Sequence, residues 1–268
     1  MLDELEKKLK ESSLSANTRE AYYFAVKQYR EKYGDCVAEE TLAQYKSWLM
    51  DHFSVKTVNL RIRGMNYYLE TSGRSNMKIT YVKVQQKPFL ENVISEADYR
   101  YLIQCLYEDG YMMWYFVVRF MTSTGARVSE VVKIKAEHVQ SGFIDLYSKG
   151  GKLRRIYIPQ QLCDQTVKWL KQSNIHSGFI FLNHNGKQLT TRGIASRLKD
   201  FAIKYGIDPA VVYPHSFRHR FAKNFLDRCN NIALLADLMG HESIETTRIY
   251  LRKTATEQKA LIDEIVDW

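Results

Sequence analysis

Residues 240–253 read GHESIETTRIYLRK, and 25 residues upstream of Gly240 a second stretch begins, HSFRHRFAKNF, at residues 215–225. Gly240 is a natural stop for the helical pattern NIALLADLMGH before it, and Ser243 is placed to cap a following helix that carries Tyr250. The second stretch spaces Phe217, Phe221 and Phe225 four apart, which predicts a buried helical stripe. His215 and Arg218, three apart, then share another face and are free to point at a ligand. With 18 tyrosines and 39 Lys plus Arg in the chain, no single Tyr or Arg identifies a site, so order and spacing must decide.

Two segments further upstream add to the pattern. TSTGARVSEVVKIK puts Arg127 directly after a Thr-Gly-Ala turn at the start of a helical pattern. FIDLYSKGGKLRRIYIP contains two β-rich segments, Phe143–Tyr147 and Leu153–Pro159, around a glycine pair, which predicts a β-hairpin with Lys149 at its tip. Taken singly, each residue has a plainer reading: a solvated helix-start arginine, a capping histidine, a solvated hairpin lysine.

Together they match the needs of phosphodiester chemistry. Attack at phosphorus adds negative charge to the non-bridging oxygens, and fixed guanidinium donors such as Arg127 and Arg218, with His241 as a further donor, stabilise that charge selectively in the transition state. A tyrosine hydroxyl, with a pKa of about 10, needs a base or a positive field to attack, and His215 suits the task of base. Lys149, preferred over Lys152, is placed to protonate the leaving 5′ oxygen. No carboxylate cluster stands ready for a metal, so metal-independent chemistry is expected.

The formal net charge of +9 and a sequence pI near 9.2 point to a polyanionic partner without separating DNA from RNA or an acidic membrane. The excess is spread, +3 over residues 1–85 and +6 over the remainder, so no detachable basic tail is indicated. Cys36, Cys105, Cys163 and Cys229 form no C-x-x-C pair, which fits a reducing cytosol. Neither a signal peptide nor an 18-residue apolar run is present, so no membrane association is expected.

At 268 residues two domains are the better expectation. Residues 1–84 read as helices. The first clear pattern carries Tyr22, Val26 and Tyr29 on one face, with Ser15 or Asn17 as N-cap and Gly34 as stop; EETLAQYKSWLM follows as a second. A third puts Val58, Ile62, Met65 and Leu69 on one stripe and leaves Arg61 and Arg63 off it, where they are either solvated or, with Lys56, backbone contacts to a nucleic acid. The periodicity lapses at 85–92, around Pro88, the candidate linker. It resumes at a helix-start box, Ser95 with Asp98, opening a mixed segment at 93–268 that ends in an amphipathic tail with Leu261, Ile265 and Trp268 on one side.

The series TGARVSE, SKGGK, HSFRH and MGHESIETTRIY resembles, in order and spacing, the catalytic domain of the tyrosine recombinases, or phage integrase family, particularly its short Xer-like members. LSANTREAY and SVKTVNLRIRGMNYYLETSG resemble, less specifically, their helical core-binding domain. The resemblance implies a mainly α fold with a small β-hairpin in the catalytic domain and a two-domain C-shaped clamp on duplex DNA. It also implies Arg127 and Arg218 as phosphate-activating arginines, His215 before the second, His241 at the His-or-Trp position, Lys149 on the hairpin, Tyr250 as the nucleophile of a 3′-phosphotyrosyl link, and Glu130 as an acidic support. Two pairs of protomers, a homotetramer on synapsed sites, would exchange strands through a Holliday junction without a cofactor. The tail would dock on a neighbouring protomer, or else pack on its own domain. The first helix begins almost at Met1, so the arm-binding domain of longer integrases is not expected. The other readings are a type IB topoisomerase-like nicking-closing enzyme, a DNA-binding accessory protein without activity and, most distantly, a metal-dependent nuclease.

Overall fold

The computed structural model describes residues 2–83, 92–147, 153–241, 243–251 and 255–266. The chain divides into two compact units, Met1–Gln86 and Lys87–Trp268. The linker expected at 85–92 lies outside the described residues except for residue 92.

The first unit is built from α1 (Leu2–Glu11), α2 (Ala16–Tyr33), α3 (Glu39–His52) and α4 (Val55–Thr71). Ser15, not Asn17, caps α2 by accepting from the Thr18 N–H, and Gly34 ends it at φ 70°. The stripes expected from the 3.6-residue period are the ones buried: Tyr22, Val26 and Tyr29 on α2, and Val58, Ile62, Met65 and Leu69 on α4. α2 and α4 cross closely at Gly64, where a Cβ would lie 2.7 Å from the Ala25 Cβ and 3.0 Å from the Tyr22 Cα. An extended segment then runs back along α4, held by two side-chain amides. Asn66 bonds both the N–H and the C=O of Ile79, each at 2.8 Å, and Asn59 does the same to Val82 at 2.9 and 2.8 Å.

The second unit opens with α5 (Glu96–Glu108), α6 (Met112–Thr124), the short α7 (Val128–Val131) and α8 (Ala136–Ser141). The hairpin follows as β1 (Phe143–Tyr147) and β2 (Leu153–Tyr157), antiparallel, with Phe143 opposite Tyr157 and Tyr147 opposite Leu153. Then come α9 (Gln160–Gln172), α10 (Thr191–Lys204), α11 (Pro214–Cys229), α12 (Ile232–Met239), α13 (Ile244–Arg248), a 3-10 turn (Ile249–Leu251) and α14 (Ala255–Ile265). Ser95 caps α5 through the Asp98 N–H, the expected box. α6 lies at the centre of the core, with Phe116, Val117, Phe120 and Met121 buried, and Phe217 of α11 joins the same cluster.

The phenylalanine stripe of α11 differs from its expectation. Only Phe217 is fully buried; Phe221 and Phe225 are half-buried, and Ala222 and Leu226 carry the inner line of a satellite cluster with Leu235, Met239 and Tyr250. The reason is that α11 is covered on two sides by different elements, so its apolar face is wider than one line of residues four apart.

Candidate active site

The turn after α6 brings the first group in. Gly125 closes α6 at φ 63°, and a Cβ there would lie 2.4 Å from the ring of Phe221, so glycine is required for both backbone and packing. Arg127 precedes α7 as its N-cap, where its N–H bonds Glu130 Oε2 at 2.7 Å and its Nη1 bonds Glu130 Oε1 at 3.1 Å. Glu130 thus orients the Arg127 guanidinium from the third helical position, half of a capping box.

α11 brings the second. Arg218 is 3 % exposed, so the sequence picture of a helix face left free for a ligand is corrected: the guanidinium is buried and fully engaged. It donates to the carbonyls of Gly125 and of Met239, the latter at 2.7 Å, and to His241 Nε2 at 3.1 Å. A guanidinium only donates, so His241 Nε2 accepts, and the proton sits on Nδ1, which donates to Thr247 Oγ1 at 2.8 Å. Thr247 is fully buried.

Tyr250, 7 % exposed, closes the group. Its ring stacks on His241 with centroids 6.2 Å apart and planes 13° apart, and it lies 5.3 Å from the ring of His219. Burial raises its phenol pKa, while the charge of Arg218, a side-chain hydrogen bond from it and the charge of Arg127 pull the other way. Two other buried tyrosines differ. Tyr29 bonds Cys36 O and Thr41, Tyr45 bonds Ala25 O and Gln28, and no guanidinium bonds either hydroxyl.

The histidines are held neutral. Burial first, then Arg218, Arg127 and Arg154, push His241 down to about 4; burial, His215 and Arg218 push His219 down to about 4. His215, exposed in the first turn of α11, is lowered in the same sense by partial desolvation and then by Arg218 and Arg127. His219 neighbours both His215, at 6.3 Å, and Tyr250, and its Nδ1 is buried without a hydrogen-bond partner. Arg218 itself is lowered to about 10 by burial and then by Arg127 and Arg154.

Of the six principal residues expected, the structure brings Arg127, Arg218, His241 and Tyr250 together, with His215 one helical turn from His219 at the margin. Lys149 lies outside the described residues, as does the alternative Lys152. Three neighbours were not singled out from sequence: His219, Thr247 and Arg154. His219 was findable, because it follows His215 by four residues on the same helix. Beside the group, a cleft of about 780 Å³ is lined by Arg127, Glu130, Arg154, Gly240 and His241 together with the hairpin. Among the described residues no group of three or more His, Cys, Asp or Glu is placed to hold a metal ion.

In the first unit, Lys56 and Arg63 are exposed and seven apart on one side of α4, whereas Arg61 is half-buried with its guanidinium 4.2 Å over the ring of Phe24. No helix among the described residues is long and apolar enough to cross a membrane.

This fold is that of the tyrosine-type site-specific recombinases, and the chain belongs to the phage integrase family, whose model matches residues 92–257. Tyrosine recombinase XerA of Pyrococcus furiosus is 27% identical over 269 residues, covering 98% of this chain and 93% of that protein. Tyrosine recombinase XerD of Listeria innocua is 34% identical over 152 residues, 53% of this chain and 51% of that protein. The Tn1549 transposon integrase in complex with transposon right end DNA has the same fold, with a TM-score of 0.74 at 17% identity over 98% of each chain.

Proposed function

We propose that this chain cleaves and rejoins duplex DNA at specific sites through Tyr250. The Tyr250 oxygen attacks the phosphorus, a 3′-phosphotyrosyl bond forms, and the bond to the 5′ oxygen breaks. The phenolic proton passes to His215, which is kept neutral for the purpose, and Lys149 protonates the departing 5′ oxygen. Arg127 and Arg218 exchange their carbonyl partners for the non-bridging oxygens, and His241, relieved of Arg218, shifts its proton to Nε2, accepts from the Thr247 hydroxyl at Nδ1 and donates to the phosphate too. The phosphotyrosine conserves the bond energy, so rejoining requires only attack by a 5′ hydroxyl, with no metal and no cofactor.

The observation that carries this reading is the convergence of Arg127, Arg218 and His241 on one turn beside a buried tyrosine. Supporting it, residues 1–84 would serve as the core-binding domain, with Lys56, Arg61 and Arg63 toward the phosphates, and 93–268 as the catalytic domain. Ile262 and Ile265 of α14 are 59% and 57% exposed, which suits a tail that exchanges onto a second copy within a tetramer resolving a Holliday junction.

The test is covalent trapping. Protein and its Tyr250→Phe variant are incubated in EDTA with fragments of the source replicon, some nicked, and stopped with SDS. Protein-linked DNA with the unsubstituted chain alone is the expected result, and the ends of the adducts locate the site. Binding without any adduct would overturn the reading in favour of an accessory DNA-binding protein.

A further inference from the structure

The C-terminal end of α12 has a complete hydrogen-bond account. Its last turn closes in a Schellman pattern, with the His241 N–H on Ala236 O and the Gly240 N–H on Asp237 O, each at 3.0 Å. Three carbonyls then remain at the negative end of the helix, those of Leu238, Met239 and Gly240. Each takes one arginine. Arg218 bonds Met239 O at 2.7 Å, Arg127 bonds Gly240 O at 3.2 Å, and Arg154 bonds Leu238 O from Nε at 3.1 Å and from Nη2 at 2.9 Å.

Arg154 is the member of this trio that the proposed chemistry does not use. It comes from β2, where strand alternation sends it inward while Arg155 turns outward to pair with Asp145 at 2.7 Å. Its side chain is 11% exposed, and its third contact is Glu130 Oε1 at 2.6 Å, the same oxygen that receives Arg127 Nη1. Its alkyl stem packs on Gly240, where a Cβ would lie 2.3 Å from the Arg154 Cδ; this, with φ 61°, leaves room for glycine alone. One side chain therefore joins the hairpin, the carboxylate that aims Arg127, and the turn that carries His241.

We infer that Arg154 is a positioning residue for the reaction. When the phosphate draws Arg127 and Arg218 off their carbonyls, Arg154 stays on Leu238 and Glu130 and keeps the His241 turn and the Arg127 guanidinium in register. The inference rests on the phosphodiester reading above. A guanidinium suits the task because its planar fork reaches the Leu238 carbonyl from Nε and Nη2 and the Glu130 carboxylate from Nη1, a spread of donors that the single nitrogen of an ammonium does not offer.

The experiment compares the unsubstituted chain with Arg154→Lys and Arg154→Met, after confirming by melting that each is folded. Three quantities are read: DNA affinity, the single-turnover rate of adduct formation at saturating protein, and hydrogen exchange of the Gly240 and His241 amides in the free protein. For Arg154→Met the rate should fall on the order of 100-fold, the scale of a misplacement of about 1 Å, with affinity within about threefold and faster exchange at both amides. Arg154→Lys should recover part of the rate by engaging Glu130 alone. A rate for Arg154→Met within about twofold of the unsubstituted chain overturns the inference, as does a parallel loss of rate and affinity, which would place Arg154 on the DNA. Should the unsubstituted chain form no adduct, the phosphodiester reading fails by itself, and unchanged exchange in Arg154→Met would separately overturn the holding of the turn.

Discussion

Both units use side chains to satisfy main-chain groups that no helix or sheet ladder reaches, and they use opposite chemistry to do it. In the first unit, neutral amides of α4 clamp an extended segment, Asn66 on Ile79 and Asn59 on Val82, and all four bonds join neutral groups. In the second, guanidiniums cover the end of α12, and among the described residues the carboxylate that pairs with them is Glu130, shared by Arg127 and Arg154. The first arrangement spends its polarity on holding the chain. The second holds the chain and keeps a surplus positive field, which is what an arriving phosphate needs.

The contrast breaks if the two kinds of clamp respond alike to substitution. Arg218→Ala should lower the rate of adduct formation by about 10²–10³-fold while DNA binding persists, measured by single-turnover trapping; near-normal cleavage would remove it from the site. Asn66→Ala strands the buried N–H and C=O of Ile79 and should cost about 2–4 kcal/mol in chemical denaturation, with the rate per folded molecule unchanged.

Acid sharpens the contrast further. His219 and His241 are held near 4 in the folded chain against an ordinary 6.5, so the unfolded chain binds more protons between those values. The stability is fully present above pH 6.5 and is lost as pH falls towards 4, with a slope of up to about 1.4 kcal/mol per pH unit for each histidine. His219→Gln should flatten the dependence of the melting temperature on pH over that window; an unchanged profile would contradict the burial of a neutral ring. Arg61→Ala should have the smallest effect, about 0.5–1 kcal/mol from the lost stacking on Phe24, read in the same denaturation experiment.

Much of this was legible in the sequence where the cause is local. Ser15 and Ser95 cap, Gly34 and Gly240 stop, and the hairpin strands fall at Phe143–Tyr147 and, two residues shorter than the expected Leu153–Pro159, at Leu153–Tyr157, because each depends on residues a few positions apart. The series of motifs pointed to Arg127, Arg218, His241 and Tyr250 through family likeness. What periodicity hid was the role of pairs distant in the chain. Arg154 meets Leu238 across 84 positions, Arg127 meets Gly240 across 113, and the Asn66 clamp closes over 13 without any repeat to announce it. Arg154 and Arg155 are adjacent arginines in the sequence, and only the packed fold separates the largely covered one from its exposed neighbour.

The most direct measurement is the position of the covalent link. Adducts trapped with SDS are digested with nuclease and trypsin, and the nucleotide-bearing peptide is mapped by mass spectrometry. Of the 18 tyrosines, the account predicts the nucleotide on Tyr250 alone, in the peptide bounded by Arg248 and Arg252. A nucleotide on any other residue would contradict it.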